Sequence, residues 1–226
     1  MARVLVVDDD LTVAGVVVGY LDRAGHQAMH VADGRKALDT IAAEPPDLVV
    51  LDLMLPEVDG LEVCRQVRAE HPHLPVIMLT ALGEADERIA GLEVGADDYV
   101  TKPFSPRELI LRIESVLRRA SAAPEPRGVL SAGSITVDTA ARIVTRDGAD
   151  LSLTTREFDL LAYLMAHPGR AFSRAELMQH VWGWTFGDQS TVTVHVRRLR
   201  EKVEDDPTDP SLIKTVWGIG YRLETV

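Results

Sequence analysis

Five polar residues stand where short apolar runs end in the first half of the chain. They are Asp8 and Asp9 after VLVV, Asp52 after DLVVL, Thr80 after PVIML, and Lys102 just past DDYVT. Three carboxylates, a hydroxyl and an ammonium are the parts of a site for a divalent metal and a phosphoryl group. Mg²⁺ takes one or two protein carboxylates and keeps several waters. A carboxylate can act as a nucleophile and form an aspartyl phosphate. The ammonium supplies a point charge to phosphoryl oxygens, and the hydroxyl a hydrogen-bond donor. Three carboxylates drawn together resist ionisation unless a cation joins them, and a metal removes that conflict.

What must position these residues is a sheet. Apolar runs of four or five residues that end on a charge read as buried parallel strands reaching the sheet edge. The expected strands are 3–7, 26–31, 48–51, 76–79 and 98–100. Helical patterns lie between them at 12–24, 34–43, 59–69, 84–94 and 106–119, the last opened by Ser105 and Pro106. Five such units predict a doubly wound, five-stranded parallel sheet of the flavodoxin-like class. Ligands of open α/β sheets bind outside the carboxyl ends of the strands, so one rim collects all five polar residues.

The composition, 46% hydrophobic and 26% charged over 226 residues, builds a core and allows one or two domains. The single cysteine, Cys64, excludes an internal disulfide, fits a reducing compartment and reads as a buried structural thiol. The N-terminal MARVLVVDDD lacks a signal-peptide pattern, and no stretch approaches the about 18 apolar residues of a membrane span. The expectation is a soluble cytoplasmic protein with no membrane partner. The net charge of −11 argues against nucleic-acid binding by the whole surface. The halves differ, however. Residues 1–120 hold 12 Lys/Arg against 21 Asp/Glu, net −9, and residues 121–226 hold 12 against 14, net −2. Four of those twelve later cations fall between Arg197 and Lys202.

The stretch SAAPEPRG breaks both periodicities and reads as a linker, so the expected division is 1–119, a linker at 120–128, and 129–226. Short strands are expected at 135–137, 143–145 and around 151–153. A Thr154-capped helix follows and stops before Pro168–Gly169. A second helix opens with the capping box Ser173–Glu176, and a third spans about 190–203. IKTVWGIGYRL reads as two strands around a glycine turn. Three helices and a β-hairpin make an α+β winged helix, a relative of the helix-turn-helix. On the third helix, Val192, Val196, Leu199 and Val203 fall within an arc of about 60° at roughly 100° per residue. The opposite face then presents Ser190, Thr191, Thr193, Val194, Arg197 and Arg198. A valine centred on a polar face suits a thymine methyl, Arg198 suits a guanine edge, and Thr191, His195, Arg197 and Arg200 suit phosphates.

VLVVDDD, LVVLDLMLPEVDG, VIMLTA and GADDYVTKPF resemble the receiver domain of two-component response regulators. The resemblance implies that a histidine kinase phosphorylates Asp52. It implies Mg²⁺ bound by Asp9, Asp52 and the Met54 backbone carbonyl, with Asp8 acting mainly through water. It makes Thr80 and Tyr99 a switch pair, makes Lys102 a phosphoryl partner, and marks Lys102–Pro103 as a bond often cis in the family. It further implies a symmetric receiver dimer using Arg88, Leu92, Asp97, Asp98, Glu108, Ile110 and Arg112. In that dimer Arg88–Glu108 and Asp98–Arg112 are intermolecular ion pairs.

The strings LTTREFDLLAYL, SRAELMQHVWG, TVTVHVRRLREKVEDDP and IKTVWGIGYRL resemble the winged-helix effector of the OmpR/PhoB family. That resemblance implies a third helix in the major groove of promoter DNA. It implies a wing on the adjacent minor groove through Thr215, Trp217 and Tyr221, and a 182–189 loop available to RNA polymerase. The chain departs from the pattern at Trp217, where many members carry arginine, and at Ser190, where arginine is frequent. A tryptophan cannot act as a cation in a narrow groove. It either packs at the wing base or lies along the sugar-phosphate backbone.

The function expected is phosphorylation-dependent DNA-binding regulation of transcription. A phosphohydrolase would need a proton-transferring acid two residues after the nucleophile, and Met54 stands there. The remaining alternative is a DNA-binding regulator whose receiver serves only as a dimerisation scaffold.

Overall fold

The computed structural model describes residues 1–81, 94–121, 128–184 and 189–224. The chain divides into two compact units, Met1–Ser121 and Ala122–Val226.

In the first unit, β1 (Arg3–Val7), α1 (Leu11–Arg23), β2 (Gln27–Val31), α2 (Gly34–Ala43), β3 (Leu48–Asp52), α3 (Gly60–Glu70), β4 (Val76–Ala81), β5 (Asp98–Lys102) and α4 (Pro106–Ser121) follow one another. The five strands are all parallel, in the order β2-β1-β3-β4-β5. This is the doubly wound sheet expected from the sequence. Successive side chains of a strand point to opposite faces. Val4 and Val6 of β1 join Val17 and Leu21 of α1 and Ile113 and Val116 of α4 in one apolar cluster. Leu5 and Val7, facing the other way, are equally buried, as are Ile41 of α2 and Val63, Cys64 and Val67 of α3. Both faces are covered, which is why the strands are apolar without alternation.

Local chemistry sets the helix starts. Asp10 accepts from the amides of Thr12 and Val13, Asp33 from Lys36, and Asp59 from Glu62. Each carboxylate satisfies amides that have no partner inside the helix. The start of α3 presses on the end of β3. A Cβ added at Gly60 would lie 2.1 Å from the carbonyl oxygen of Asp52, so only glycine permits this approach.

The second unit begins with an antiparallel sheet of β6 (Val129–Ala132), β7 (Ile135–Asp138), β8 (Ile143–Arg146) and β9 (Ala149–Asp150). The strand expected around 151–153 is not formed, because the chain must turn there to cap the next helix at Thr154. Helix α5 (Thr155–Met165) follows, then β10 (Ala171–Ser173). Helix α6 (Arg174–Leu177) continues into a π-helical turn, Met178–Trp182, that ends at Gly183 with φ +89°. Last come α7 (Ser190–Val203), β11 (Ile213–Val216) and β12 (Gly220–Leu223). Strand β10, too short to read from sequence, adds to the hairpin as a third strand in the order β10-β12-β11. The expected capping box at Ser173–Glu176 forms, and the expected cap Thr154 also makes a full capping box with Glu157.

The core of this unit runs through Leu160, Leu164, Leu177, Trp182, Val192, Val196, Leu199, Val203 and Ile213. It also holds a charge. Glu157 is 0% exposed. Its carboxylate accepts from the Thr154 amide at 2.9 Å and lies 2.7 Å from Lys202 and 2.6 Å from Arg198. Burial alone would raise its pKa, but the two α7 cations outweigh it and hold the group below its usual value. A depressed folded pKa gives stability that is present above the unfolded value of about 4.3 and is lost as pH falls through the folded one. We therefore expect Glu157→Gln to destabilise this unit by on the order of 3 kcal/mol at neutral pH. The gap between variant and wild type should close as pH drops below about 4 in urea titrations. A gap independent of pH would mean that the lost interaction is not ionic.

Candidate functional site

Asp8 directly follows β1, Asp52 ends β3, Thr80 lies near the end of β4, and Lys102 ends β5. All are at the carboxyl edge of the sheet. Asp8 is 0% and Asp52 5% exposed, while Asp9 is open to solvent. Lys102 Nζ donates to Asp8 Oδ2 at 2.8 Å and to Asp52 Oδ2 at 3.0 Å. One ammonium thus bridges two buried carboxylates. Asp8 is oriented further by the Asp10 amide, which donates to its Oδ1 at 2.9 Å. Burial pushes the Asp52 carboxyl above its usual pKa, and the charge of Asp8 adds to this. Lys102 and the Met54 amide oppose it. Burial alone would lower the Lys102 ammonium, but its two carboxylate partners hold it above the usual value.

The donor set fits a hard cation. One oxygen from each of Asp8, Asp9 and Asp52 lies within 4.8 Å of the others. A carboxyl pushed up by burial beside a second carboxylate is the setting in which a divalent ion relieves repulsion. Met54 follows in the loop after β3 with its side chain exposed. The Thr80 hydroxyl is buried and has no hydrogen-bond partner among the described residues. An orphaned buried donor at this edge is costly unless a ligand accepts from it. The Tyr99 ring is buried, and the Lys102–Pro103 peptide is cis.

The residues expected at a dimer surface fall into three groups. Arg88 and Leu92 lie outside the described residues. Asp97 is buried and holds the fold together, accepting from Arg68 at 2.7 Å and from the Val76 amide at 2.9 Å. The expected intermolecular pair Asp98–Arg112 is made inside one chain. Arg112 donates Nη1 to Asp98 and Nη2 to Glu108, both at 2.8 Å. The sequence offered no distance by which to tell a pair within the chain from one between chains, and β5 packs alongside α4 closely enough to form it. Ile110 is half-buried against the core.

In the second unit the face of α7 is narrower than its helical wheel predicts. Thr193, Arg197 and Glu201, one turn apart, are exposed. Thr191, Val194 and Arg198 are buried, which corrects their placement on an open face, and His195, expected at phosphates, is buried too. Arg198 is drawn to Glu157. His195 meets the edge of Trp182 at 5.0 Å between ring centroids, and its Nδ1 lies 2.8 Å from the Thr191 carbonyl. Val194 is 7% exposed, too little to present a methyl surface. Arg200 is turned to the hairpin, donating to the Ile213 carbonyl at 2.7 Å and to Thr215 Oγ1 at 2.8 Å.

Tyr221 is buried, with its hydroxyl 3.4 Å from Thr193 Oγ1. Arg174 also reaches Thr193, at 3.1 Å, and lies over the Tyr221 ring. Nothing in sequence reasoning singled out Arg174 or Glu157. Their only signal was a place in the first turns of α6 and α5, directly after the caps Ser173 and Thr154. The hairpin tip places Trp217 in solvent, so it does not pack at the wing base. In the loop before α7, residues 185–188 lie outside the described residues. Among the described residues no helix is long and apolar enough to cross a membrane.

Comparison with known proteins fits this geometry. Residues 4–114 match the response regulator receiver domain family, and residues 148–223 match the family described as transcriptional regulatory protein, C terminal. The sensory transduction protein RegX3 of Mycolicibacterium smegmatis is 45% identical over 228 residues, covering 99% of this chain and 100% of RegX3. The probable transcriptional regulator ycf27 of Pyropia yezoensis is also 45% identical, over 99% of this chain and 95% of its own. Among solved structures, the Thermotoga maritima response regulator DrrB, an OmpR/PhoB homologue, is 33% identical over 99% of both chains with a TM-score of 0.54. A receiver fold carrying an acidic rim, joined to a DNA-binding effector, and relatives alike over nearly their whole length place this chain in the OmpR/PhoB family of response regulators, whose members are DNA-binding transcription factors and not enzymes.

Proposed function

We propose that phosphorylation of Asp52 by a histidine kinase controls how the second unit binds promoter DNA. The observation that carries this reading is the Lys102 ammonium shared between Asp8 and Asp52. It offsets part of the burial that raises the Asp52 carboxyl and aims that group beside an ammonium that can donate to phosphoryl oxygens. In the transfer, an Asp52 oxygen attacks phosphorus, the bond from phosphorus to the donor histidine nitrogen breaks, and the new P–O bond leaves an aspartyl phosphate. Mg²⁺ held by Asp8, Asp9, Asp52 and the Met54 carbonyl would neutralise charge on the phosphoryl oxygens. Met54 offers no proton-transferring group to pass the phosphoryl onward. The buried Thr80 hydroxyl is the donor to the new anion, and Tyr99, packed inward on β5, responds to its movement.

Receiver dimerisation then raises the effective concentration of two effector units on adjacent half-sites. On α7, Thr193 and Arg197 face the DNA, while Arg198, Arg200 and His195 hold the helix in place. The setting is the cytoplasm, where kinase and DNA are both available.

Two outcomes test this reading. Incubation with acetyl phosphate and Mg²⁺ should give a phosphoryl adduct by intact-protein mass, absent in Asp52→Ala, and tighter DNA binding by the adduct. No adduct with acetyl phosphate or a kinase, together with unchanged DNA binding, would leave the receiver a scaffold. In equilibrium DNA binding, Arg197→Ala should weaken all duplexes alike and reduce the salt slope by about 0.9, the value of one phosphate contact. Arg198→Ala should lower thermal stability and leave that slope unchanged. Equal slopes for the two variants would reverse these roles.

A further inference from the structure

We propose that His30 is a positioning residue for the acidic rim: it fixes the peptide between Asp8 and Asp9 and so aims the Asp9 carboxylate at a metal ion. The inference rests on the Mg²⁺-binding reading above and adds what holds the ligands in place.

His30 stands on β2, the edge strand beside β1, with its Cα opposite Val6. The paired register of these two strands ends at Val7 and Val31. Past it, the Asp8 amide still donates to the Val31 carbonyl at 3.2 Å. The Asp8 carbonyl lies beyond that last rung. The His30 ring reaches forward to it, with Nε2 2.9 Å from the oxygen. A carbonyl can only accept, so Nε2 is the donor. The neutral ring protonated at Nε2 and the imidazolium both donate from that nitrogen, so the bond needs no particular ring charge.

Asp8 is thereby held at every polar atom. Its amide meets Val31, its carbonyl His30, its Oδ1 the Asp10 amide and its Oδ2 Lys102. Asp10 is pinned in turn as the cap of α1. Asp9 is the link between these two fixed residues, and it is exposed. Its carboxylate is therefore placed by the backbone it springs from. A peptide unit is planar, so a donor that fixes the Asp8 oxygen also fixes the Asp9 nitrogen and Cα. Water could satisfy the same oxygen. A water, however, moves with the peptide it binds, and an imidazole anchored in a neighbouring strand does not. Losing His30 should leave Asp8, Asp52 and Lys102 in contact and free Asp9 alone. The site should then lose affinity for the cation while keeping its ability to accept a phosphoryl group.

The test uses the full-length protein, with Mg²⁺ alone as the probe. In calorimetric titration, His30→Ala should bind Mg²⁺ about tenfold more weakly, the lower end of what losing an outer partner of a metal ligand costs. His30→Gln, whose amide can still donate to the carbonyl, should recover most of that loss. With acetyl phosphate, His30→Ala should need about tenfold more Mg²⁺ for half-maximal adduct formation and should reach the wild-type rate at saturation. In ring-nitrogen NMR, the signal lost on substitution should belong to a ring protonated at Nε2. Mg²⁺ affinity of His30→Ala within about twofold of wild type, or a His30 ring protonated only at Nδ1, would overturn the inference. So would a glutamine variant as weak as the alanine one, or a rate still depressed at saturating Mg²⁺, which would mark damage to the whole rim. If wild type itself binds no Mg²⁺, the metal reading fails, and this inference with it.

Discussion

A carboxylate taken out of water must keep a cation beside it, and that constraint organises both units of this protein. At the rim of the first sheet, Asp8 and Asp52 share Lys102. At the opposite end of β5, Asp97 meets Arg68 and Asp98 meets Arg112. In the second unit, Glu157 meets Arg198 and Lys202. These pairs need not add net stability over an apolar packing of the same shape. What they fix is geometry. Each ties an element to a partner distant in sequence, so the ends of β1, β3 and β5 and the α5–α7 packing have one favourable arrangement.

The two clusters use the constraint differently. Around Glu157 the cations outweigh burial, and the carboxyl is held below its ordinary pKa. Around Asp52 they do not, and burial wins over a single shared ammonium. The first is a finished structural charge. The second is under-compensated, and it opens to solvent through the exposed Asp9. A site that still gains from added positive charge can take up a metal ion and then a phosphoryl group. A fully neutralised one has little reason to.

Much of this was legible in the sequence, because strand ends are marked by an abrupt change from apolar to charged residues. That signal placed the five rim residues, and the Thr154 cap and the Ser173–Glu176 capping box placed the starts of α5 and α6. Legibility failed where the answer depends on what lies across a space. The helical wheel of α7 located its core stripe correctly at Val192, Val196, Leu199 and Val203. It could not foresee that Glu157 would draw in Arg198, or that Trp182 would cover His195. Asp98 and Arg112 do pair, but within the chain, where the resemblance implied a pair between chains. Opposite charges announce a partner but not whether it belongs to the same chain. Strand β10 escaped because three residues carry no periodicity.

The seating of α7 separates two kinds of position on one helix. Arg198 and Lys202 are committed to the carboxylate behind them, and Val192, Val196 and Leu199 to the core. Thr193, Arg197 and Glu201 stand outside both commitments, spaced one turn apart along the exposed edge. Side chains on that edge can be exchanged without unseating the helix. A scaffold of this kind can acquire a new binding preference by changing three residues, while the machinery that presents them stays as it is.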